Sequence, residues 1–317
     1  MYSNRGEARI HIQQRTASQQ FLHTLRAQWM LYTMILPGVL YFIVFKYIPL
    51  LGSVIAFQDF QILNGILKSP WVGLKHFEFM FTYPDIVVVL KNTLLLGTYQ
   101  LVFGFPAPIL LAILINEVRL AFLKRTVQTF FYLPHFLSWV IVGGLIFELL
   151  SLGGFINTVR LWFGEEPVLY MQRESFFRLI VVLSSIWKEI GWGAIIYLAA
   201  ITGINPSLYE AAKVDGANRL VQTIYITLPS LLPTIIILLL LKIGHFLELG
   251  FDHIYVLLTP STIAVGDIID TYVYRAGILE GQYSFTTAVG LFKSIVGFVL
   301  LYGCNYISKK TTQQGLF

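Results

Sequence analysis

Long apolar runs separated by short polar segments dominate this chain. Six runs lie at about residues 29–57, 86–115, 127–150, 176–204, 228–249 and 284–307. A helix needs roughly 20 consecutive apolar residues to cross a bilayer, and each run is long enough. The pattern therefore predicts an all-α membrane protein with six transmembrane helices. Residues 29–308 form the membrane domain, between polar tails at 1–28 and 309–317.

Composition agrees with a membrane location. Of the 317 residues, 56% are hydrophobic and only 12% are charged, whereas soluble domains carry about 25% charged residues. The single cysteine, Cys304, excludes an internal disulfide, and the six histidines are never spaced four residues apart. We therefore expect no metal site and no catalytic residues in this chain.

The charged residues indicate how the chain is oriented. The N-terminal tail, the segments 116–126 and 205–227 and the C-terminal tail together carry eleven bases and four acids. The segments on the opposite side carry five bases and ten acids. Basic loops stay in the cytoplasm, so both termini are predicted to be cytoplasmic. The net charge of +5 thus reflects topology, and no nucleic-acid partner is expected.

The N-terminal tail has one helical pattern. Phe21, Leu22, Leu25 and Trp29 recur at helical spacing among polar residues. A short helix in the membrane interface and a disordered tail are both compatible with this pattern.

The segment 205–227 differs from the other loops. Asn205 precedes a proline, which favours the end of the fourth span there. Ser207 and Glu210 have the spacing of a capping box, so a helix is predicted to begin at Ser207. Gly216 follows where a left-handed residue can stop it, and a second helix is predicted from Ala217 toward Thr227. The segment is either a plain connector or a docking element, in which Tyr209 is an anchor.

The motif in this segment resembles that of a known family. Glu210-Ala211-Ala212, Asp215-Gly216-Ala217, Ile226 and Leu228-Pro229 are similar to the EAA loop of binding-protein-dependent ABC importer permeases. The carbohydrate and polysaccharide uptake branch, which includes maltose-importer-like permeases, is resembled over most of the chain. Within that branch, the resemblance extends to permease subunits of alginate importers. The segments that carry it include Tyr132 to Phe136, Trp187 to Trp192, Asp270 to Tyr274 and Ala288 to Phe292.

This resemblance implies a type I ABC importer permease fold with a cytoplasmic coupling helix between the fourth and fifth spans. Its contacts to an ATP-binding subunit would be Glu210, Ala211, Ala212, Asp215 and Gly216, beside the anchor Tyr209. The implied partners are a second permease (a different chain in this branch), two ATP-binding cassette subunits, an external solute-binding protein, the saccharide and the bilayer. ATP and Mg²⁺ would be bound by the partner subunits, because this chain has no Walker A motif.

Polar side chains inside the spans suggest a substrate path, because such residues are costly unless they are paired or face a cavity. Lys188 and Glu189 lie between Trp187 and Trp192. Neighbouring helical residues point about 100° apart, so we expect these two not to pair. The candidate path residues are Trp187, Lys188, Trp192 and Tyr197; aromatic anchoring and helix packing explain them equally well.

Two further features bear on the substrate and the binding protein. Six bases lie in or near the spans against three acids, a balance that suits an acidic, alginate-like oligosaccharide or polysaccharide. The external segment 250–283 is the longest outer loop, and the resemblance suggests that it meets the solute-binding protein. The candidate contacts are Asp252, Tyr255, Asp270 and Tyr274, although packing on the other spans would account for them as well.

Two other classes of protein are weighed against an importer permease. A stand-alone secondary transporter or channel favours internal repeats and interrupted helices in matching positions; no convincing repeat is found, and the EAA loop would be unexplained. A membrane-embedded enzyme needs paired carboxylates or a metal cluster, and no such spacing is present.

Overall fold

The protein is helical throughout the part that the structure describes. A computed structural model describes residues 28–312, in which six helical segments are long and apolar enough to span a membrane, and in which no strand occurs. These segments are Trp29–Phe57, Pro84–Glu117, Trp139–Trp162, Glu174–Thr202, Arg219–Gly244 and Tyr283–Lys310, hereafter spans 1 to 6. The prediction of an all-α protein with six spans is confirmed. The tail at 1–27, for which an interfacial helix and a disordered tail were both compatible with the sequence, lies outside the described residues.

The contacts divide the chain into two units, Met1–Val54 and Ile55–Phe317. In the first unit, span 1 begins with helix Trp29–Phe42, continues through π-helix Ile43–Tyr47 and helix Ile48–Leu51, and enters the 3₁₀ turn Gly52–Phe57. The side chains from Trp29 to Leu51 are exposed and predominantly apolar. Such a surface is suited to lipid.

The second unit contains the other five spans and the short helices between them. Its α-helices are Gly65–Lys68, Lys75–Thr82, Pro84–Tyr99, Pro106–Glu117, Ala121–Tyr132, Trp139–Leu150, Phe155–Trp162, Glu174–Thr202, Pro206–Val214, Arg219–Gln222, Leu228–Gly244, Phe251–Leu257, Ile263–Gly266, Ile269–Tyr272 and Tyr283–Thr312. Its 3₁₀ turns are Leu133–Phe136 and Tyr170–Gln172, and its π-helices are Gln100–Gly104, Thr223–Thr227 and Val273–Leu279.

Prolines explain why several spans contain a π-helical turn. The π-helices Gln100–Gly104 and Thr223–Thr227 are each followed by an α-helix with a proline, Pro106 or Pro229, in its first two residues. Proline cannot donate to the helical ladder and clashes with the carbonyl four residues earlier. A local widening of the helix relieves this clash, so the helix continues through the proline. The predicted start of span 5 at 228 is therefore too late, because the helical segment already begins at Arg219.

The third apolar run differs from its predicted form. A single span was expected over 127–150, but Ala121–Tyr132 is a separate helix that ends in the turn Leu133–Phe136. A new helix starts at Trp139, where the Ser138 side chain accepts a hydrogen bond from the Ile141 N–H. The chain breaks here because Pro134 supplies no N–H and Ser138 caps a new helix instead.

Three hydrophobic clusters form the core of the second unit. The first joins the Pro106–Glu117 half of span 2 to span 4 and Leu231. The second joins Met80 to the start of span 2, the segment 269–276 and the start of span 6. The third joins Leu96 to the start of span 4 and helix Phe251–Leu257. Span 2 takes part in all three clusters and span 4 in two, so these two spans form the centre of this unit.

Candidate functional site

The helix Pro206–Val214, hereafter the loop helix, lies in the segment that the motif identified. Asn205 is its N-cap, and the Asn205 Oδ1 accepts a hydrogen bond of 3.0 Å from the Ser207 N–H. Pro206 is the first helical residue, a position where its missing N–H is not needed. The predicted capping box with Ser207 as N-cap is therefore wrong, because the neighbouring asparagine takes that role.

The loop helix ends in a Schellman motif, as its glycine suggested. The N–H of Ala217 donates to the Ala212 carbonyl at 2.8 Å, and the N–H of Gly216 donates to that of Lys213 at 3.1 Å. Gly216 has a φ of +80°, so the left-handed stop predicted there is confirmed. Asn218 then caps the next helix by accepting from the Val221 N–H. The predicted separate helix over 217–227 is instead the beginning of span 5.

Few contacts hold the loop helix to the spans. The Tyr209 hydroxyl lies 2.9 Å from the Oγ1 of Thr227 in span 5. No residue of the helix is fully buried. Glu210, Ala211, Asp215 and Gly216 are exposed, and Ala212 is half-buried. Among residues 28–312, Glu210 and Asp215 form no ion pair. A short helix with exposed acids and small residues presents an open surface to a partner.

A cleft of about 530 Å³ lies between spans 2, 4 and 5. Two of the four candidate path residues, Trp192 and Tyr197, line it; Trp187 and Lys188 do not. The polar side chains that line it are Gln100, Ser185, Glu189, Tyr197, Lys242 and His245, and the apolar ones include Phe105, Pro108 and Trp192. This mixture of aromatic faces and hydrogen-bonding groups is suited to a polyhydroxylated ligand.

Lys188 is buried beside this cleft, with only 5% of the residue exposed. Its Nζ donates to the His135 carbonyl at 2.6 Å and lies 5.3 Å from the Trp139 ring centroid. The same Nζ is 3.5 Å from the Glu189 Oε1. The expectation that these neighbours do not pair is therefore wrong, because long side chains can converge even when their Cβ atoms diverge. Lys188 fastens the turn Leu133–Phe136 to span 4.

His135 connects this turn to the cleft wall. Its Nδ1 is 2.9 Å from the Glu189 Oε2, and its ring stacks on Trp192 with centroids 4.4 Å apart. The turn can approach span 4 because Gly191 faces the Phe131 carbonyl, and a Cβ on Gly191 would overlap that oxygen. The orientation of Trp192 in the cleft is thus set by His135, which the sequence offered only as part of a resemblance.

The cleft also contains polar residues that the sequence analysis did not include among its site residues. Gln100 is buried, and its Nε2 has no hydrogen-bond partner within the described part of the chain. Lys242 and His245 line the span 5 side. The available signal was their polarity within apolar runs, but that signal alone does not tell which face of a helix meets a cleft.

The four candidate contacts of the segment 250–283 fall in two settings. Asp252 and Tyr255 are exposed on helix Phe251–Leu257, and the Tyr255 ring packs edge-on against Tyr274 with centroids 5.2 Å apart. Asp270 instead forms an ion pair with Lys293 of span 6 at 2.5 Å. Nothing in residues 28–312 groups three or more histidine, cysteine or acidic side chains as a metal site would.

The fold and these sites agree with one class of membrane protein. Residues 104–313 match the family model described as the inner membrane component of binding-protein-dependent transport systems. The chain belongs to this family and is a multi-pass protein of the cytoplasmic (inner) membrane. The predicted class, an ABC importer permease with a type I fold, is confirmed. Permease subunits of such importers are in general non-catalytic.

Individual relatives are similar over nearly the whole chain. The polygalacturonan/rhamnogalacturonan transport system permease protein YteP of Bacillus subtilis (strain 168) is 52% identical, over 94% of each chain. The arabinooligosaccharides transport system permease protein AraP of the same organism is 30% identical, over 82% of each. A chain in the crystal structure of a bacterial ABC transporter involved in the import of the acidic polysaccharide alginate superposes with a TM-score of 0.87. That chain is 41% identical, and the match covers 92% of this chain and 99% of that one.

A second solved structure to which the chain is similar includes a bound partner protein. A chain of the bacterial alginate ABC transporter in complex with alginate pentasaccharide-bound periplasmic protein matches with a TM-score of 0.87 and 41% identity, over 94% of this chain and all of that one.

Proposed function

We propose that this chain is one permease subunit of an ATP-driven importer for an acidic oligosaccharide or polysaccharide. The cleft between spans 2, 4 and 5 is the observation that carries the proposal, because it offers aromatic faces, hydrogen-bonding groups and the Lys242 ammonium together. Support for an acidic cargo comes from the polygalacturonan and alginate transporters to which the chain is similar. The chain itself is not an enzyme; ATP and Mg²⁺ belong to its partner ATPase subunits.

The loop helix is proposed to dock in an ATP-binding subunit on the cytoplasmic side, where both termini also lie. Ala211 and Ala212 allow close approach of the two backbones, and Glu210 and Asp215 are free to meet basic residues of the partner. Tyr209 transmits movement of the helix to span 5 through its hydroxyl contact with Thr227. Closure of the ATPase subunits then shifts span 5, which lines the cleft.

The cleft is proposed to be part of the path, completed by a second, different permease chain. Trp192 stacks on sugar rings, while Tyr197, Lys242 and His245 contact hydroxyl or carboxylate groups. Gln100 supports this role, because a buried amide without a partner costs about 1–3 kcal/mol and a sugar hydroxyl could accept from it after a small rearrangement. Trp187 and Lys188 act from outside the cleft, Lys188 by holding the turn that carries His135.

The segment 250–283 is proposed to meet the external solute-binding protein. Asp252 and Tyr255 are the exposed candidates, and Tyr274 supports Tyr255 from below. Asp270 acts indirectly, because its ion pair with Lys293 ties the segment to span 6.

Charge reversal on the loop helix tests the coupling. The Glu210→Lys variant should lose co-purification with the ATPase subunits and should lose ATP-dependent uptake, while still inserting with its partner permease. Glu166→Lys is the matched control, since Glu166 is an exposed acid in a segment on the opposite side of the membrane. Unchanged ATPase association in Glu210→Lys would contradict the docking proposal.

A further inference from the structure

A second and larger cavity, of about 690 Å³, adjoins the cleft along the same two spans. Tyr99 and Phe103 of span 2 line it, each directly before a residue that lines the cleft, Gln100 or Gly104. On span 4 it is lined by residues from Glu174 to Val182, and the cleft begins at Ser185, less than one turn later. The cavity and the cleft therefore lie on successive stretches of span 4 and on neighbouring faces of span 2.

Arg178 is the cation of this cavity, and the protein holds it in a fixed position. Its Nε donates to the Val265 carbonyl at 3.3 Å, and its NH2 donates to the Asn92 Oδ1 at 2.9 Å. Asn92 is buried and donates in turn to the carbonyls of Ala264 and Asp267. A guanidinium has five N–H donors, so those on NH1 remain available among the described residues. The Arg178 guanidinium is thus held in position by two hydrogen bonds, while its NH1 group can still donate to a ligand.

The electrostatics of the cavity favour an anionic group. Arg178 has no carboxylate within ion-pair distance among residues 28–312, although Glu174 lies on the same wall four residues earlier. Glu174 is exposed, whereas Arg178 is half-buried, so solvent screens the acid more than the base. A planar guanidinium matches a carboxylate in geometry and charge.

The wall of the cavity formed by span 2, opposite Arg178, is suited to a sugar ring. Tyr99 and Phe103 lie one helical turn apart, with ring centroids 6.5 Å apart and planes inclined by 46°. They offer apolar faces beside the guanidinium, and Ser175 adds a hydroxyl. A sugar ring that bears a carboxylate matches both walls.

We propose that this cavity is a second saccharide subsite, in which Arg178 binds a uronate carboxylate. The same saccharide extends from the cavity to the cleft, so that other rings of it lie beside Trp192. Arg178 is then a specificity-determining residue that selects acidic over neutral chains. This inference rests on the proposed function and adds a second binding position to it.

The test compares uptake of a charged saccharide with that of its neutral counterpart. The assembled importer in proteoliposomes receives a short oligogalacturonide or the same oligosaccharide with its carboxyl groups reduced to alcohols. In Arg178→Gln the KM for the oligogalacturonide should rise about tenfold or more, since a charge-assisted hydrogen bond is lost. The KM for the reduced saccharide should stay the same, and Arg178→Lys should fall between wild type and Arg178→Gln. Arg173→Gln, an exposed arginine outside the cavity, should leave both values unchanged.

Two results would overturn the subsite. Equal losses for both saccharides would mean that Arg178 only anchors the 263–267 segment, and an unchanged preference would mean that it does not meet the cargo. A dependence on phospholipid composition, without a change in saccharide preference, would assign the cavity to a lipid headgroup and would also overturn it. If Arg178→Gln fails to assemble, Phe103→Ala decides the question: it should raise the KM for both saccharides, and no effect would contradict the subsite. If the wild-type importer moves neither saccharide with ATP, the proposed function fails instead.

Discussion

Gly216 imposes the strictest backbone requirement on the loop helix. Its φ of +80° is in the left-handed region, and a Cβ at this position would meet no other atom within 4 Å. The cost of a side chain is therefore conformational, about 1–2 kcal/mol for an L-residue. Gly216→Ala should loosen the loop helix, so that amide hydrogens of residues 207–216 exchange about fivefold or more faster.

Gly164 provides the matched control for this prediction. It has a φ of +76° and equally open surroundings, but it lies between spans 3 and 4. Gly164→Ala should bear the same conformational cost without changing exchange in residues 207–216 or association with the ATPase. Equal effects of the two substitutions on ATPase association would show that Gly216 has no special role in docking.

Lys188 is buried, and its ammonium donates a hydrogen bond to the His135 carbonyl. Replacing Lys188 with methionine leaves the partly buried His135 carbonyl without this donor, at a cost of about 1–3 kcal/mol. The thermal unfolding midpoint of the purified complex should fall in Lys188→Met. Lys91→Met is the comparison, because Lys91 is exposed on span 2 and has no ion pair in residues 28–312, and its midpoint should not move.

Some residue roles could be predicted from the sequence and others could not. Gly216 was recognisable because a glycine two turns after a helix start has one common local use. The approach of Lys188 to both Glu189 and the His135 carbonyl was not, because it depends on where the turn Leu133–Phe136 packs. The role of Gln100 was hidden for the same reason, since helical spacing does not reveal which face meets a cleft.

At the scale of elements, the two ends of the loop helix determine whether it forms. Nine residues without a buried side chain are too few for a stable helix in isolation, so the caps contribute a large share of its stability. Asn205→Ala removes the N-cap acceptor and should destabilise the helix by about 0.5–2 kcal/mol. Hydrogen exchange of residues 207–214 and affinity for the ATPase subunit measure the effect.

Ser207→Ala is the informative partner of that substitution. The sequence pattern assigned the cap to Ser207, whereas the structure places Asn205 in that role. Ser207→Ala should therefore leave both exchange and affinity close to wild type. If Ser207→Ala destabilised the helix and Asn205→Ala did not, Ser207 would be the N-cap, and the geometry of the loop helix would be contradicted.

The ends of helices were predictable where a capping residue or a glycine alone determined them. They were less predictable where an apolar run continued through a proline. The apolar run over 127–150 concealed a break, because hydrophobicity continues through Pro134 while the backbone does not. Conversely, the fifth span was predicted to begin at 228, beside Pro229, yet the π-helix Thr223–Thr227 lets the helix pass through this proline. In both places a proline was visible, but whether the helix breaks or widens depends on the neighbouring turns.

At the scale of the whole molecule, six spans could be predicted because bilayer thickness and apolar run length determine their number. The cleft and the adjoining cavity could not, because their walls combine residues of spans 2, 4 and 5 and the segment around Val265, which only the packing of these elements brings together. The EAA loop identified the class of protein, since its motif is continuous in the sequence and is therefore recognisable without the fold.

ATP-dependent uptake by reconstituted protein tests directly whether this chain is a subunit of an ATP-driven importer. Proteoliposomes contain either this chain alone or this chain with its partner permease, two ATPase subunits and the solute-binding protein, and a labelled oligogalacturonide is supplied outside. The proposed function predicts uptake only by the full assembly, only with internal ATP, and only with the binding protein present. Uptake by the chain alone, driven by a gradient without ATP, would contradict it and would indicate a secondary transporter.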